Sequence, residues 1–367
     1  MRLIMPFILF SLCFCLSAYG SEKMSLHLEK LVGNLGVVWG MDFIDDQRLI
    51  FTERDGWLGV LDLNGNKVSW LQGLPEVHAQ GQGGLLDVAV PPDFRKNSWL
   101  YFTYSKPGLL QAQTALARAK LGEDSVTDWQ DLLVGDSASL RNIHFGSRIA
   151  FDGKGHVFFS IGDRGLRSPA QDLSNHIGTI IRLNMDGSVP EDNPFVGNSQ
   201  ARDEIWSYGH RNPQGLFYDS VSGKLWEIEH GPRGGDEINL IEKGKNYGWP
   251  IVSQGQEYFA DIDVGVKHKN GMQEPAKVYI PSIAPSDLLL YRGGEFKAWQ
   301  GSLLTGALKL RHLNRVELDE KLQAVKETRY LQNIQQRIRS LAVDASGKIY
   351  IGTDAGDIYR LTGKHEK

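Results

Sequence analysis

Cysteine is almost absent from this chain. Of 367 residues only Cys13 and Cys15 carry a thiol, and both lie in the leading apolar segment. Beyond that segment no disulfide staples the fold and no thiolate holds a metal. Basic clusters are missing too: 40 lysines and arginines face 44 acidic residues, a net charge of −4, with no long basic run. That excludes nucleic acid or an anionic membrane surface as the main partner. No HExxH or paired-histidine zinc pattern occurs. Helical periodicity is scarce, and its best candidate, Leu322–Gln335, is broken up. The one long apolar run, Met5–Leu16, is too short to cross a bilayer. With Arg2 ahead and Ser17-Ala18-Tyr19-Gly20 behind, it reads as an export signal cut after Gly20. The expectation is a signal over residues 1–20 and a single domain over 21–367, with no membrane span in the mature chain.

What is present instead is alternation. A strand of period two, a turn carrying Asp or Gly, and a second aromatic or β-branched strand recur along the chain. The copies are Met41–Leu63, Leu85–Ser105, Arg148–Leu183, Gln214–Ile241, Asp287–Leu318 and Arg337–Leu361. Recurrence at roughly 50 residues predicts an all-β, six-bladed β-propeller. Leu26–Leu35 is placed to complete the last blade. Three longer stretches, Gln111–Ile143, Ser168–Ile177 and Tyr258–Tyr279, read as insertions gathered on one face.

The densest polar loops lie between Ser207 and Pro250, where turn residues are interleaved with His210, Arg211, Asn212, Arg233, Asp236 and Glu237. Loops that only connect strands have no need of such groups. Arg211-Asn212 sets a fixed cation beside an amide, suited to a carboxylate or a developing oxyanion; a capped turn is the plainer reading. In His230-Gly231-Pro232-Arg233-Gly234-Gly235-Asp236-Glu237 the glycines leave carbonyls open to a hard cation, although the acid spacing is not that of an EF-hand. Gln82, within Gly81-Gln82-Gly83-Gly84, reads on spacing alone as part of a tight turn. His144 reads as either a loop histidine or a general base. Asp163-Arg164 reads as an ion pair or an Asp-turn. Alternation places Lys309 with Arg311, and Arg337 with Arg339, on one face of their strands; charges facing solvent are the usual explanation, and four cations converging on a polyanionic ligand the alternative.

Together these blocks carry a resemblance. HFGSRIAFDGKGHVFFSIGDRG, AQDLSNHIGTIIRLNMDGSVPEDNPF, IWSYGHRNPQGL and EHGPRGGDEINLIEKGKNYGWP resemble the soluble, pyrroloquinoline-quinone-dependent aldose sugar dehydrogenases of the glucose/sorbosone dehydrogenase family. The likeness runs from Trp39 to the last blade and implies a six-bladed propeller in the periplasm. It implies oxidation of an aldose at its anomeric carbon, giving a lactone, with hydride passing to C5 of the quinone and the hydroxyl proton to His144. It implies that Gln82, Arg211, Asn212, Tyr258, Lys309, Arg311, Arg337 and Arg339 contact pyrroloquinoline quinone (PQQ), with Arg211 also stabilising charge on the reduced cofactor. The Gly231 and Pro232 carbonyls would hold Ca2+ against the quinone, and Glu237 with the Tyr247 carbonyl a second, structural Ca2+. The electron acceptor is left open. In the glucose-oxidising branch an Asp precedes the catalytic His; here Ile143 stands there, so the base lacks that orienting neighbour. Ile280 and Ser282 likewise replace a larger aromatic and a Thr of that branch. Competing readings are a Ca2+-dependent propeller lactonase or esterase and a non-catalytic binding propeller.

Overall fold

The computed structural model describes residues 25–109 and 111–364, so the expected signal at 1–20 lies outside the described residues. Among these residues 24 strands form six four-stranded antiparallel sheets. The first blade is β2 (Val38–Asp45), β3 (Arg48–Glu53), β4 (Trp57–Asp62) and β5 (Lys67–Leu71). The second is β6 (Leu85–Ala89), β7 (Trp99–Pro107), β8 (Ala112–Leu121) and β9 (Val126–Val134). The third is β10 (Ile149–Phe151), β11 (His156–Ile161), β12 (Thr179–Asn184) and β13 (Ile205–Tyr208). The fourth is β14 (Pro213–Asp219), β15 (Lys224–Glu229), β16 (Asp236–Ile241) and β17 (Lys277–Tyr279). The fifth is β18 (Pro285–Leu290), β19 (Leu303–Ala307), β20 (His312–Leu318) and β21 (Ala324–Tyr330). The sixth, β22 (Ile338–Val343), β23 (Ile349–Thr353) and β24 (Ile358–Lys364), is completed by β1 (Ser25–Val32), whose Leu28 pairs with Leu361. The ring is thus closed by the start of the chain, as expected.

Two expectations need correction. Gln111–Ile143 is no insertion: most of it is β8 and β9, the outer half of the second blade. In β8 the buried face at Ala115, Ala117 and Ala119 is made of small residues, which give little hydrophobic contrast for alternation to show. The broken helical pattern near Leu322 is strand β21 followed by a single 3-10 turn, Gln332–Ile334. Among the described residues the one α-helix is four residues long, Phe94–Asn97.

Apolar side chains pack between neighbouring blades, while the axis is lined by inner strands with a repeated polar clasp. Asp42 accepts the Val90 N–H at 2.7 Å, Asp87 the Ile149 N–H at 2.9 Å, and Asp287 the Leu341 N–H at 2.8 Å. Each bond ties one inner strand to the next blade. Arg148 sits among them, 2.9 Å from Asp87 and 3.3 Å from Asp287. Burial pushes the Asp42 carboxyl up to about 6 and that of Asp87 to about 7. These groups line a cavity of about 540 Å3, which opens where the inner strands end. Its carboxylates are engaged by the framework, and the polar loops lie at the opposite end of the axis.

Candidate functional site

The loops before the inner strands converge at that opposite end. His144 lies on the loop between β9 and β10 at φ 54°, a left-handed backbone that a histidine adopts only when held. Its N–H donates to Gln82 Oε1 at 2.8 Å. The turn bearing Gln82 needs its glycines: at Gly84, φ 147°, a Cβ would sit 1.8 Å from the Arg54 carbonyl oxygen. Gln82 therefore joins a turn role with a place at the site.

The imidazole Nδ1 lies 2.6 Å from Asp163 Oδ1, and Asp163 Oδ2 accepts the Trp249 indole N–H at 2.7 Å. Ile143 still leaves the base without the preceding Asp of the glucose-oxidising branch, and the orienting carboxylate comes instead from Asp163, just after β11 of the third blade. An Asp-turn is also present, since Asp163 Oδ1 accepts the Gly165 N–H at 2.7 Å. The expected ion pair with Arg164 is not. For Asp163, burial favours the neutral acid, but hydrogen bonding from His144 and the field of Arg211 prevail and hold it below the usual carboxylate range. Burial lowers the His144 pKa, with help from Arg211 and against the pull of Asp163. The result is a neutral imidazole whose Nδ1–H points at a carboxylate, with no hydrogen bond on Nε2 from the described residues.

Arg211 and Asn212 start the fourth blade. Their backbone N–H groups converge on Glu229 Oε2 at 2.5 and 3.2 Å, and Arg211 Nη1 donates to the His230 carbonyl at 3.0 Å. Arg211 Nε and Asn212 Nδ2 are buried without a partner among the described residues. Trp39, Arg54, Gln82, Gln214, Arg337 and Arg339 line a cavity of about 140 Å3; Gly231, Pro232, Tyr258 and Lys309 line another of about 260 Å3. The two share His230, which burial keeps neutral, its pKa driven down to about 3. Arg54, Trp39 and His230 carried no signal in the sequence beyond residue type.

The cationic wall differs from its expected form. Lys309 and Arg311 stand in the turn between β19 and β20, with Arg311 at φ 54°, rather than on one face of a strand. Lys309 faces the cleft, whereas Arg311 lines neither cavity and reaches the Gln335 carbonyl at 3.4 Å. Arg337 and Arg339 share Asp354, at 2.6 and 2.7 Å, so part of their charge is already balanced.

Gly231 fits its turn because it lacks a side chain: a Cβ would lie 2.1 Å from the Gly235 carbonyl oxygen. Among the described residues neither the Gly231 nor the Pro232 carbonyl accepts a hydrogen bond. Beside them, Glu229, Glu237, Tyr247, Trp249 and Ser253 line a small recess. β15 and β16 set Glu229 opposite Glu237 and Glu227 opposite Asn239. His210, fully buried and stacked on Tyr247 at 4.7 Å, brings Nδ1 to 3.6 Å from Glu229 Oε1. His210, Glu227 and Glu229 each offer a ligand atom within 4.8 Å of the others. His210 Nδ1, Glu227 Oε1 and Asn239 Oδ1 are buried without partners. Burial, then repulsion from Glu229, raises the Glu227 and Glu237 carboxyls. Expectation singled out Glu237 and Tyr247 as ligands; β15–β16 pairing adds Glu227, Glu229 and Asn239, and the loop before β14 brings His210, noted in the sequence only as a polar loop residue.

Residues 35–360 match the family model described as Glucose / Sorbosone dehydrogenase. Aldose sugar dehydrogenase YliI of Escherichia coli is 36% identical over 96% of this chain and 97% of its own length. Quinoprotein glucose dehydrogenase B of Acinetobacter calcoaceticus is 28% identical over 89% of this chain and 84% of its own. The apo-form crystal structure of the soluble aldose sugar dehydrogenase from Escherichia coli superimposes with a TM-score of 0.88, covering 93% of this chain and 100% of that one.

Proposed function

This chain belongs to the glucose/sorbosone dehydrogenase family, and from that premise we propose that it is an aldose sugar dehydrogenase: a PQQ-dependent, periplasmic quinoprotein oxidising an aldose at its anomeric carbon to the lactone. The observation that carries the reading is the His144–Asp163 pair, which hydrogen-bonds through the His144 N–H to Gln82 in the wall of a cavity that Arg54, Arg337 and Arg339 also line.

The residues present fit the quinone. Three carboxylates and two quinone oxygens need fixed donors, and Lys309, Arg337, Arg339, Gln82 and the free Arg211 Nε and Asn212 Nδ2 supply them. Tyr258 borders the same cleft, whereas Arg311 lines neither cavity and stays an expectation of the family resemblance. They also fit divalent cations: the bare Gly231 and Pro232 carbonyls at one position, Glu237, Glu229 and Tyr247 at the other. When bound, PQQ supplies the acceptor for the hydride that leaves the sugar. The chain supplies the rest. His144 Nε2 takes the anomeric hydroxyl proton as the C–H bond breaks with its electron pair and the carbonyl forms. Asp163 keeps the proton of the resting imidazole on Nδ1 and balances the imidazolium that results. Arg211 holds positive charge at the cleft wall, where negative charge builds.

Reconstituting purified apoprotein with PQQ and Ca2+ is expected to give aldose-dependent dye reduction. His144→Ala is expected to lower turnover by about 10²–10⁴-fold while leaving quinone binding, followed by absorbance, intact. Full activity in His144→Ala would remove histidine from the role of base. Lactone hydrolysis without quinone would favour a hydrolase instead.

A further inference from the structure

Arg164 is a buried cation that the proposed chemistry does not use. It is 0% exposed. No carboxylate among the described residues pairs with it, because Asp163 is occupied by His144, Gly165 and Trp249. A guanidinium taken out of water without a counter-ion is costly unless its donors are satisfied. Here main-chain carbonyls do that. Nε donates to Ile143 at 3.1 Å, Nη1 to Ala112 and Ser137, both at 2.8 Å, and Nη2 to Arg141 at 3.0 Å. Its plane lies over the Phe145 ring, 3.7 Å from the centroid. Burial pulls its pKa down to about 10, which still leaves it charged at neutral pH.

The carbonyls it gathers have a pattern. Ser137, Arg141 and Ile143 belong to the irregular segment between β9 and β10, and Ala112 opens β8 of the same blade. His144 and Phe145 follow directly. Positive φ there, 54° at His144, 67° at Gly146 and 97° at Ser147, is strained at the two non-glycine positions and needs its surroundings to hold it. One guanidinium therefore grips the peptide preceding His144 and the ring following it, and anchors both to a regular strand.

We propose that Arg164 is the positioning residue of the oxidation site, fixing His144 Nε2 in the cleft through the carbonyl fork at residues 112, 137, 141 and 143. The inference rests on the reading of His144 as base. Arginine is required because five donors in one plane span four carbonyls, which an ammonium with three donors cannot reproduce.

The test uses Arg164→Gln and Arg164→Lys in the full chain. Turnover with PQQ, Ca2+ and aldose is expected to fall by about 10²-fold in both variants, as for a misplaced reacting group. KM and quinone affinity should stay within about 3-fold of the parent, inside ordinary context-dependent scatter. The second readout needs no cofactor: imidazole NMR titration of His144 in apoprotein. The charged groups around that ring are Asp163, Arg164 and Arg211, with the neutral His230 the other titratable neighbour. In Arg164→Gln the His144 pKa is expected to rise, since both its burial and a neighbouring positive charge are relieved. Parental turnover in Arg164→Lys would mean that charge alone suffices and would overturn the proposal. So would an unchanged His144 titration in Arg164→Gln, or loss of the propeller's thermal transition in both variants, which would assign Arg164 to the fold. If His144→Ala stays active, the base reading fails while the apoprotein titration still reports on the clamp.

Discussion

His144 and Asp163 are 19 residues apart and meet because the β9–β10 loop and the end of β11 face each other across the site. Their bond fixes the tautomer, and burial keeps the imidazole neutral to lower pH than an ordinary histidine. A general base must be neutral, so activity is lost as pH falls through its pKa. The acid limb of kcat/KM is therefore expected below about pH 6.5, the ordinary histidine value. Asp163→Asn removes a group that raises the His144 pKa. That variant should shift the limb further toward acid while cutting kcat by about 10²-fold or more, because the tautomer is no longer held. A limb moving toward neutral pH in Asp163→Asn would contradict this electrostatic account.

The pairing of β15 with β16 gathers Glu227, Glu229 and Glu237 beside His210 with several polar atoms left bare. Buried carboxylates without a cation repel one another, and a divalent ion held by Glu237, Glu229 and the Tyr247 carbonyl would relieve that. Ca2+ is expected to raise the melting temperature of apoprotein and excess chelator to lower it; saturation at 100-fold over Kd is worth about 2.7 kcal/mol. Glu237→Gln should remove most of that Ca2+ response, and a response unchanged in this variant would assign the ion elsewhere.

At the scale of the whole molecule, closure rests on β1. It pairs with β24 from Ser25↔Lys364 to Val32↔Ile358, buries Leu31, and packs Leu26 and Leu28 against the sixth blade. Starting the chain after Val32 would bare the β24 edge and lose that packing. At about 1–2 kcal/mol for each of three partly or fully buried leucines, the expected loss is roughly 3–6 kcal/mol. Differential scanning calorimetry should show a lower, less cooperative transition; an unchanged one would mean that blade-to-blade contacts alone hold the ring.

Alternation, turn residues and their recurrence specified six blades from the sequence alone, because period two and turn geometry are properties of adjacent residues. The motifs at His144, Arg211-Asn212 and Gly231-Pro232 stood out as polar runs in loops, but their residues alone left a plain turn or loop role open, and only the family resemblance gave them roles. Outer strands were harder to see. β8 is rich in small residues and β13 and β17 are four and three residues long, so neither contrast nor length marks them. Only the tertiary structure decided the partnerships. Asp163 reaches His144, Asp354 sits between Arg337 and Arg339, and Glu229 serves the Arg211 backbone on one side and the carboxylate cluster on the other. Arg164 likewise left its sequence neighbour for four carbonyls. Local pattern fixes which face a side chain takes, but its partner is set by how the blades close around the axis.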